Sequence, residues 1–411
     1  MKGKDSNRRS DINEVEDRGE STRLMEPLLL SEPCRARHGL LDLALELAKR
    51  SAGFRRSLPE SIVASLGNLV RSMNCYYSNL IEGHDTHPVD IERALNNDYS
   101  QDARKRDLQL EAMAHIAVQR WIDEGGLTGK AVTMEVIREI HRRFYAEMPD
   151  DLKWVEDPAT GARLPVVPGG LRRRDVQVGR HIAISPGAVP RFLARFEAVF
   201  GNLGKAETVL AAAAAHHRLA WVHPFLDGNG RVMRLMSHAM LLDTLDTGAI
   251  WSISRGLARN VSDYKRHLAE CDLPRRNDLD GRGLLSEEAL AAFTEFFLKT
   301  CLDQVTFMEG LIQPERLRTR IMLWAEEQAR LGALPPKSGM ILEALLYRGV
   351  LQRGEVAGIL GVGERQGRRI VAALAAQGVI ASETSRAPIR LAFPATLAGR
   401  WMPGLFPDRA A

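Results

Sequence analysis

His223, Asp227, Arg231 and Arg234 fall within twelve residues, HPFLDGNGRVMR (223–234), and their types and spacing suit chemistry on a phosphate. The stretch is costly to place inside regular structure, because Pro224, Gly228 and Gly230 all resist a helix interior. A helix arriving from the N-terminal side is expected to stop at Val222, since the residue before a proline avoids the α region. A second helix is expected to begin near Asn229 and run through RVMRLMSHAMLLDTL. Its first N–H groups have no partner within the helix, and with the helix dipole they form an anion site. Gly228 and Gly230 let the backbone approach a phosphate closely. Arg231 and Arg234 lie one turn apart and can lean toward the same anion. Asp227 can hold a hard cation such as Mg²⁺, and His223 can accept a proton near neutral pH. Together they suit phosphoryl or nucleotidyl transfer to a hydroxyl.

The elements that must carry this turn are mostly helical. The chain has 411 residues, 45% hydrophobic and 26% charged, ordinary for a globular protein and long enough for two domains. No apolar run is long enough to span a bilayer, so no membrane partner is expected. The polar first segment is not a signal peptide, and residues 1–37 are expected to be disordered. Cys34, Cys75, Cys271 and Cys301 lie far apart, which argues for a reducing, cytoplasmic setting. LLDLALELAKRSAG and LPESIVASLGNLVRSMNCYYSNLIEGHD read as helices ended by glycine. ETVLAAAAAHHRLAWV reads as a buried helix whose alanines allow close approach, with His216 and His217 as packed or hydrogen-bonded core histidines. Residues 154–190, rich in Gly, Pro and β-branched types, read as a loop with a hairpin around VQVG.

The twelve-residue stretch resembles, position for position, the signature of the Fic family, His-Pro-Phe-x-Asp/Glu-Gly-Asn-Gly-Arg-x-x-Arg. The resemblance extends over roughly residues 60 to 300. It implies a helical core with a β-hairpin flap and transfer of AMP from ATP to a Ser, Thr or Tyr hydroxyl of a target protein. By the same resemblance His223 is the general base, Phe225 the anchor of the loop and Asp227 the Mg²⁺ ligand. Gly228, Asn229 and Gly230 cradle phosphates, and Arg231 and Arg234 bind them. VPGGLRRRDVQVGRHI is similar to the family's flap, placing Val176, Gln177, Val178 and Gly179 beside the nucleotide. Tyr264 matches a family tyrosine near the adenine, although Asp263 stands where a second aromatic is common.

SNLIEG, Ser78 to Gly83, matches the family's inhibitory motif and lies upstream of the signature. A carboxylate at that helix end can pair with Arg234 and take the place of a γ-phosphate. The expected organisation is a Fic catalytic domain over 38–330, with the inhibitory helix near 60–83. A winged helix-turn-helix follows over 337–400, beyond a linker at Leu334-Pro335-Pro336. That module carries eight arginines against four acids, with Arg365, Arg368 and Arg369 on its expected recognition helix, so duplex DNA is a candidate partner. A homodimer is left open. So are three other readings: a DNA-binding regulator whose core senses nucleotide, an enzyme that removes AMP, and transfer of UMP.

Overall fold

The structure is a computed structural model that describes residues 15–407 apart from 128, 158 and 159. Its first long helices are α1 (Arg37–Arg56), α2 (Glu60–Ile81), α3 (Pro88–Leu95), α4 (Ala103–Trp121) and α5 (Met134–Ala146). Two hairpins follow, β1 (Trp154–Glu156) with β2 (Arg163–Pro165), and β3 (Gln177–Val178) with β4 (His181–Ile182). The second is the expected hairpin at VQVG. The first lay hidden, because three-residue strands leave too little alternation to read.

Helices resume with α6 (Val189–Phe200), α7 (Lys205–Val222), α8 (Asn229–Leu245), α9 (Ser254–Arg259), α10 (Val261–Glu270) and α11 (Glu287–Ile312). α7 runs through the middle of the core. Ala211 to Ala215 are all buried, and His216, His217 and Arg218 are buried with them. A helix apolar on every side is one surrounded by others, and α7 packs on α1, α6, α8 and α11.

The last part comprises α12 (Pro314–Arg330), α13 (Ser338–Arg348), β5 (Val350–Leu351), α14 (Glu355–Leu360), α15 (Glu364–Ala376), β6 (Ile380–Ala381), β7 (Ile389–Leu391) and α16 (Ala398–Trp401). Its strands form one antiparallel sheet in the order β5-β7-β6. α12 belongs with this part: it packs chiefly on α13, and Trp324 meets Trp401 edge-to-face at 5.3 Å. Within the expected 38–330 span, α12 thus packs chiefly with the C-terminal helices, its apolar face (Leu317, Ile321, Trp324) set against them.

This part also folds back onto the core. β7 packs on α2, the Glu92 carboxylate accepts from the N–H groups of Ala395 and Thr396, and the Tyr77 hydroxyl donates to the Leu405 carbonyl at 3.0 Å.

The disorder expected for residues 1–37 is corrected from Val15 onward; residues 1–14 lie outside the described set. Arg18 makes a two-bond pair with Asp175 at 2.9 Å, Asp17 pairs with Arg191, and Glu20 accepts from both the N–H and the hydroxyl of Ser185. Met25, Leu28 and Leu30 are buried. Composition marks such a segment as polar, but it cannot show charged partners some 160 residues away.

Candidate active site

The turn between α7 and α8 is built by local constraints. His223 closes α7 with φ 49° and ψ 63°, the left-handed region that side-chain-bearing residues rarely enter. Pro224 then forbids further helix. Asn229 staples the loop from the far side: Phe225 N–H donates to its Oδ1 and its Nδ2 donates to the Phe225 carbonyl, both at 2.9 Å. The Asn229 side chain is thereby committed to bracing the loop, and its backbone is left to face an anion. Phe225 is fully buried and stacks on His141 with ring centres 3.9 Å apart.

Two α5 residues, one turn apart, fix the middle of the loop. Gly169 N–H donates to His141 Nδ1, which leaves Nε2 to donate to the Asp227 carbonyl at 3.2 Å. Burial holds His141 neutral, down to about 4. The Tyr145 hydroxyl donates to Asp227 Oδ2 at 2.6 Å and orients the carboxylate. Gly228 (φ 79°) is required here, because a Cβ would sit 2.9 Å from the Tyr145 ring.

α8 starts directly after this loop, with Gly228 as its cap and no side chain capping its first N–H groups. A carboxylate occupies the space beside them. Glu82 Oε1 lies 2.3 Å from where a Cβ on Gly230 would stand, and it accepts from Arg234 Nη2 at 2.5 Å. Glu82 is set by the end of α2. His84 N–H bonds to the Asn79 carbonyl and Gly83 N–H to that of Leu80, with Gly83 at φ 87°. This is a Schellman ending, which needs the left-handed glycine and leaves the preceding residue one orientation. Arg234 is also held by Ser78, Nε on the hydroxyl at 2.9 Å and Nη2 on the carbonyl at 3.2 Å. Burial pushes the Glu82 carboxyl up, but Arg234 and Arg231 outweigh it, so it titrates below the usual carboxylate range.

Arg231 is buried against a different acid, Glu111 on α4, which also accepts from His84 Nδ1 at 2.9 Å. The Arg231 guanidinium lies over the Phe144 ring, 5.1 Å from its centre. His223 is held well below the ordinary histidine value, to about 4, mainly by burial; the Arg172 cation lowers it further, and the Ala220 backbone and Asp227 raise it. It is therefore unprotonated at neutral pH and able to accept a proton.

The hairpin β3–β4 stands over the turn with register Gln177↔Ile182 and Val178↔His181. Gly179 (φ 61°) makes its bend. Val178 and Ile182 are exposed at 48% and 69%, and Val176 is half-buried at the base. His181 ties the hairpin to α7 through the Trp221 carbonyl at 2.7 Å. Arg172, just before the hairpin, is 3% exposed and reaches the carbonyls of His223, Val222, Arg174 and Ile184.

Tyr264 does not line the opening. It is 1% exposed, and its hydroxyl donates to His216 Nε2 at 2.7 Å, while His216 Nδ1 donates to Ser237. Its expected place beside the adenine is corrected: Tyr264 faces inward behind Arg234, which couples to it electrostatically. His141, Tyr145, Glu111 and His84 carried no role in the sequence, and Arg172 appeared there only within the flap-like stretch VPGGLRRRDVQVGRHI. For two of them a signal existed: His141 and Tyr145 stand four apart on one helix face. Among the described residues no group of three His, Cys, Asp or Glu is placed to hold a metal, and no helix is long and apolar enough to cross a membrane.

Residues 131–241, which hold the turn, the hairpin, α5 to α7 and most of α8, match the Fic/DOC family. Similar proteins include the protein adenylyltransferase Fic of Drosophila erecta, 29% identical over 169 residues, which are 41% of this chain and 31% of that protein. The protein of the same name in Drosophila melanogaster is 28% identical over 223 residues, 52% of this chain and 42% of that one. The chain thus matches less than half the length of these relatives. A crystal structure of a Fic family protein from Desulfovibrio desulfuricans superposes with a TM-score of 0.52 at 16% identity, over 88% of this chain and 98% of that one. The likeness extends the shared helical fold well beyond the Fic domain itself.

Proposed function

We propose that the protein is an adenylyltransferase that moves AMP from ATP to a Ser, Thr or Tyr hydroxyl of a target protein, and that Glu82 restrains it. The observation that carries this reading is the contest over one place. Glu82 sits on Arg234, beside the free N–H groups of α8, where the turn would receive phosphate. His223 Nε2 or Nδ1 takes the hydroxyl proton as the oxygen bonds to the α-phosphorus. The bond from that phosphorus to the bridging oxygen breaks, and pyrophosphate leaves. Arg231, Arg234 and the backbone of Gly228 to Gly230 stabilise the phosphate charge. The hairpin residues Val176 to Gly179 cover the nucleotide and offer an exposed edge on which a target strand can pair.

Asp227 is the residue that would hold Mg²⁺. Its oxygens are hard donors, oriented by Tyr145, and a single carboxylate suits a cation that takes its other ligands from phosphate and water. That cation would neutralise phosphate charge.

The test is labelling with α-labelled ATP and Mg²⁺ of the wild type, Glu82→Gly and Glu82→Gly/His223→Ala. Strong labelling of the single variant alone supports the reading. Absence of label in all three sinks it and favours a nucleotide-sensing regulator.

A second partner is proposed for the C-terminal part. Its order of helices and strands is that of a winged helix-turn-helix, and Arg365, Arg368 and Arg369 on α15 are exposed. These cations suit duplex DNA phosphates. Binding of a labelled duplex by the full chain should weaken steeply with salt; no binding at low salt removes this partner.

A further inference from the structure

Arg172 is buried, but among the described residues no carboxylate pairs with its guanidinium. Nε donates to the His223 carbonyl at 2.7 Å, Nη1 to Arg174 at 2.9 Å, and Nη2 to Ile184 at 2.6 Å and Val222 at 3.4 Å. Its own N–H donates to the Pro224 carbonyl at 2.9 Å. The nearby acid Asp175 is instead engaged by Arg18. Burying a cation among carbonyls is unfavourable unless each donor is placed, and burial lowers this guanidinium to about 10.

The bonded groups fall into two sets. Val222 and His223 are the final residues of α7, whose last carbonyls lack helical partners and carry the negative end of the dipole. Arg174 and Ile184 flank the hairpin, one before β3 and one after β4. One planar fork therefore caps the helix that ends in His223 and clasps both roots of the flap. The left-handed backbone of His223 is strained for a residue with a side chain, and such strain persists only where surroundings over-determine it. Arg172 supplies three of those constraints: the carbonyls at 222, 223 and 224.

We infer that Arg172 is a positioning residue for the transfer. It holds His223 in its left-handed conformation and fixes the flap relative to it, so that the base and the nucleotide cover move as one body. The inference rests on the adenylyltransferase reading for its kinetic consequence. Its geometric content can be checked without any activity. Lysine keeps the charge but offers a single point donor, and cannot serve helix end and hairpin together.

The decisive experiment compares Arg172→Lys and Arg172→Met with the parent, each in the Glu82→Gly background. Two quantities are measured: the His223 titration, by NMR on histidine-labelled protein, and the kinetics of AMP transfer. The groups facing His223 are Arg172, His181 and Asp227, so removing the first should raise its titration point from about 4 toward 6.5. The same loss should be only partial in the lysine variant. A shift in base position of about 1 Å is worth about a hundredfold. The expected result is therefore a roughly hundredfold loss of kcat in both variants, with KM for ATP within about threefold. Thermal melting identifies any variant that fails to fold. Should Arg172→Met be lost this way, Arg172→Lys decides alone, by hydrogen exchange of the Val222 and Phe225 amides and by kcat. Unchanged exchange, titration and kcat in a folded lysine variant would overturn the inference. If the Glu82→Gly parent shows no transfer at all, the activity reading fails, while titration and exchange still judge Arg172.

Discussion

The two arginines of the turn are both paired with acids, yet in opposite settings. Arg234 meets Glu82, whose side chain is 34% exposed, whereas Arg231 meets Glu111 with both side chains under 10% exposed. Glu82 stands at the tip of α2, and Arg234 keeps two bonds to Ser78 if that acid leaves. Glu111 stands in the body of α4, and Arg231 lies over the Phe144 face beside it. The proposed restraint takes the first pair as displaceable and the second as structural. The same two residue types thus make one pair at a helix tip and another inside the core.

This contrast can be broken most sharply at Glu82. Glu82→Gly should raise AMP labelling by about a hundredfold and leave the melting temperature nearly unchanged; equal labelling would put both pairs in the structural class. Next in size is Glu111→Gln. Breaking a buried pair leaves an uncompensated cation and costs about 3–5 kcal/mol, so denaturant unfolding should shift strongly while labelling does not rise. A gain in labelling from Glu111→Gln would make it a second brake.

Ser78→Ala in the Glu82→Gly background should be milder. It removes one hydrogen bond to a charged group, about 2 kcal/mol, and should appear as a higher KM for ATP with kcat nearly constant. The smallest effect concerns pH. Glu82 titrates below its ordinary value in the folded protein, so its hold on Arg234 is complete above about pH 4.5 and weakens only as pH falls through the folded value. His223 stays unprotonated to about 4. The ratio of labelling between Glu82→Gly and wild type should therefore be flat from pH 8 to 5. A change centred above 6.5 would point to His84, which donates to Glu111 and whose value Glu111 raises.

Much of this was written locally. A proline, two glycines and a spacing of three placed the turn, the helix end and the arginines, because short-range backbone rules set all of them. Glu82 was legible for the same reason, through Gly83 and the end of α2. What escaped depends on contacts distant in sequence. Glu111 is 120 residues from Arg231, and Arg172 is 51 from His223. The order of residues 15–30 rests on ion pairs across more than 150 positions. Tyr264 shows a different failure: its motif position was matched, but the packing of His216 turned it inward.

Under the proposed restraint, the Schellman ending of α2 makes Glu82 a ligand that never diffuses away. A group tethered this closely acts at an effective concentration of about millimolar or more, and a stiff, buried helix confines it further. Nucleotide must outcompete that local concentration to seat its phosphates in order. The strength of inhibition is then governed less by the ion pair itself than by the rigidity of α2. Anything that lets this helix end fray, including loss of the Tyr77 bond to Leu405, dilutes the inhibitor without touching the active site.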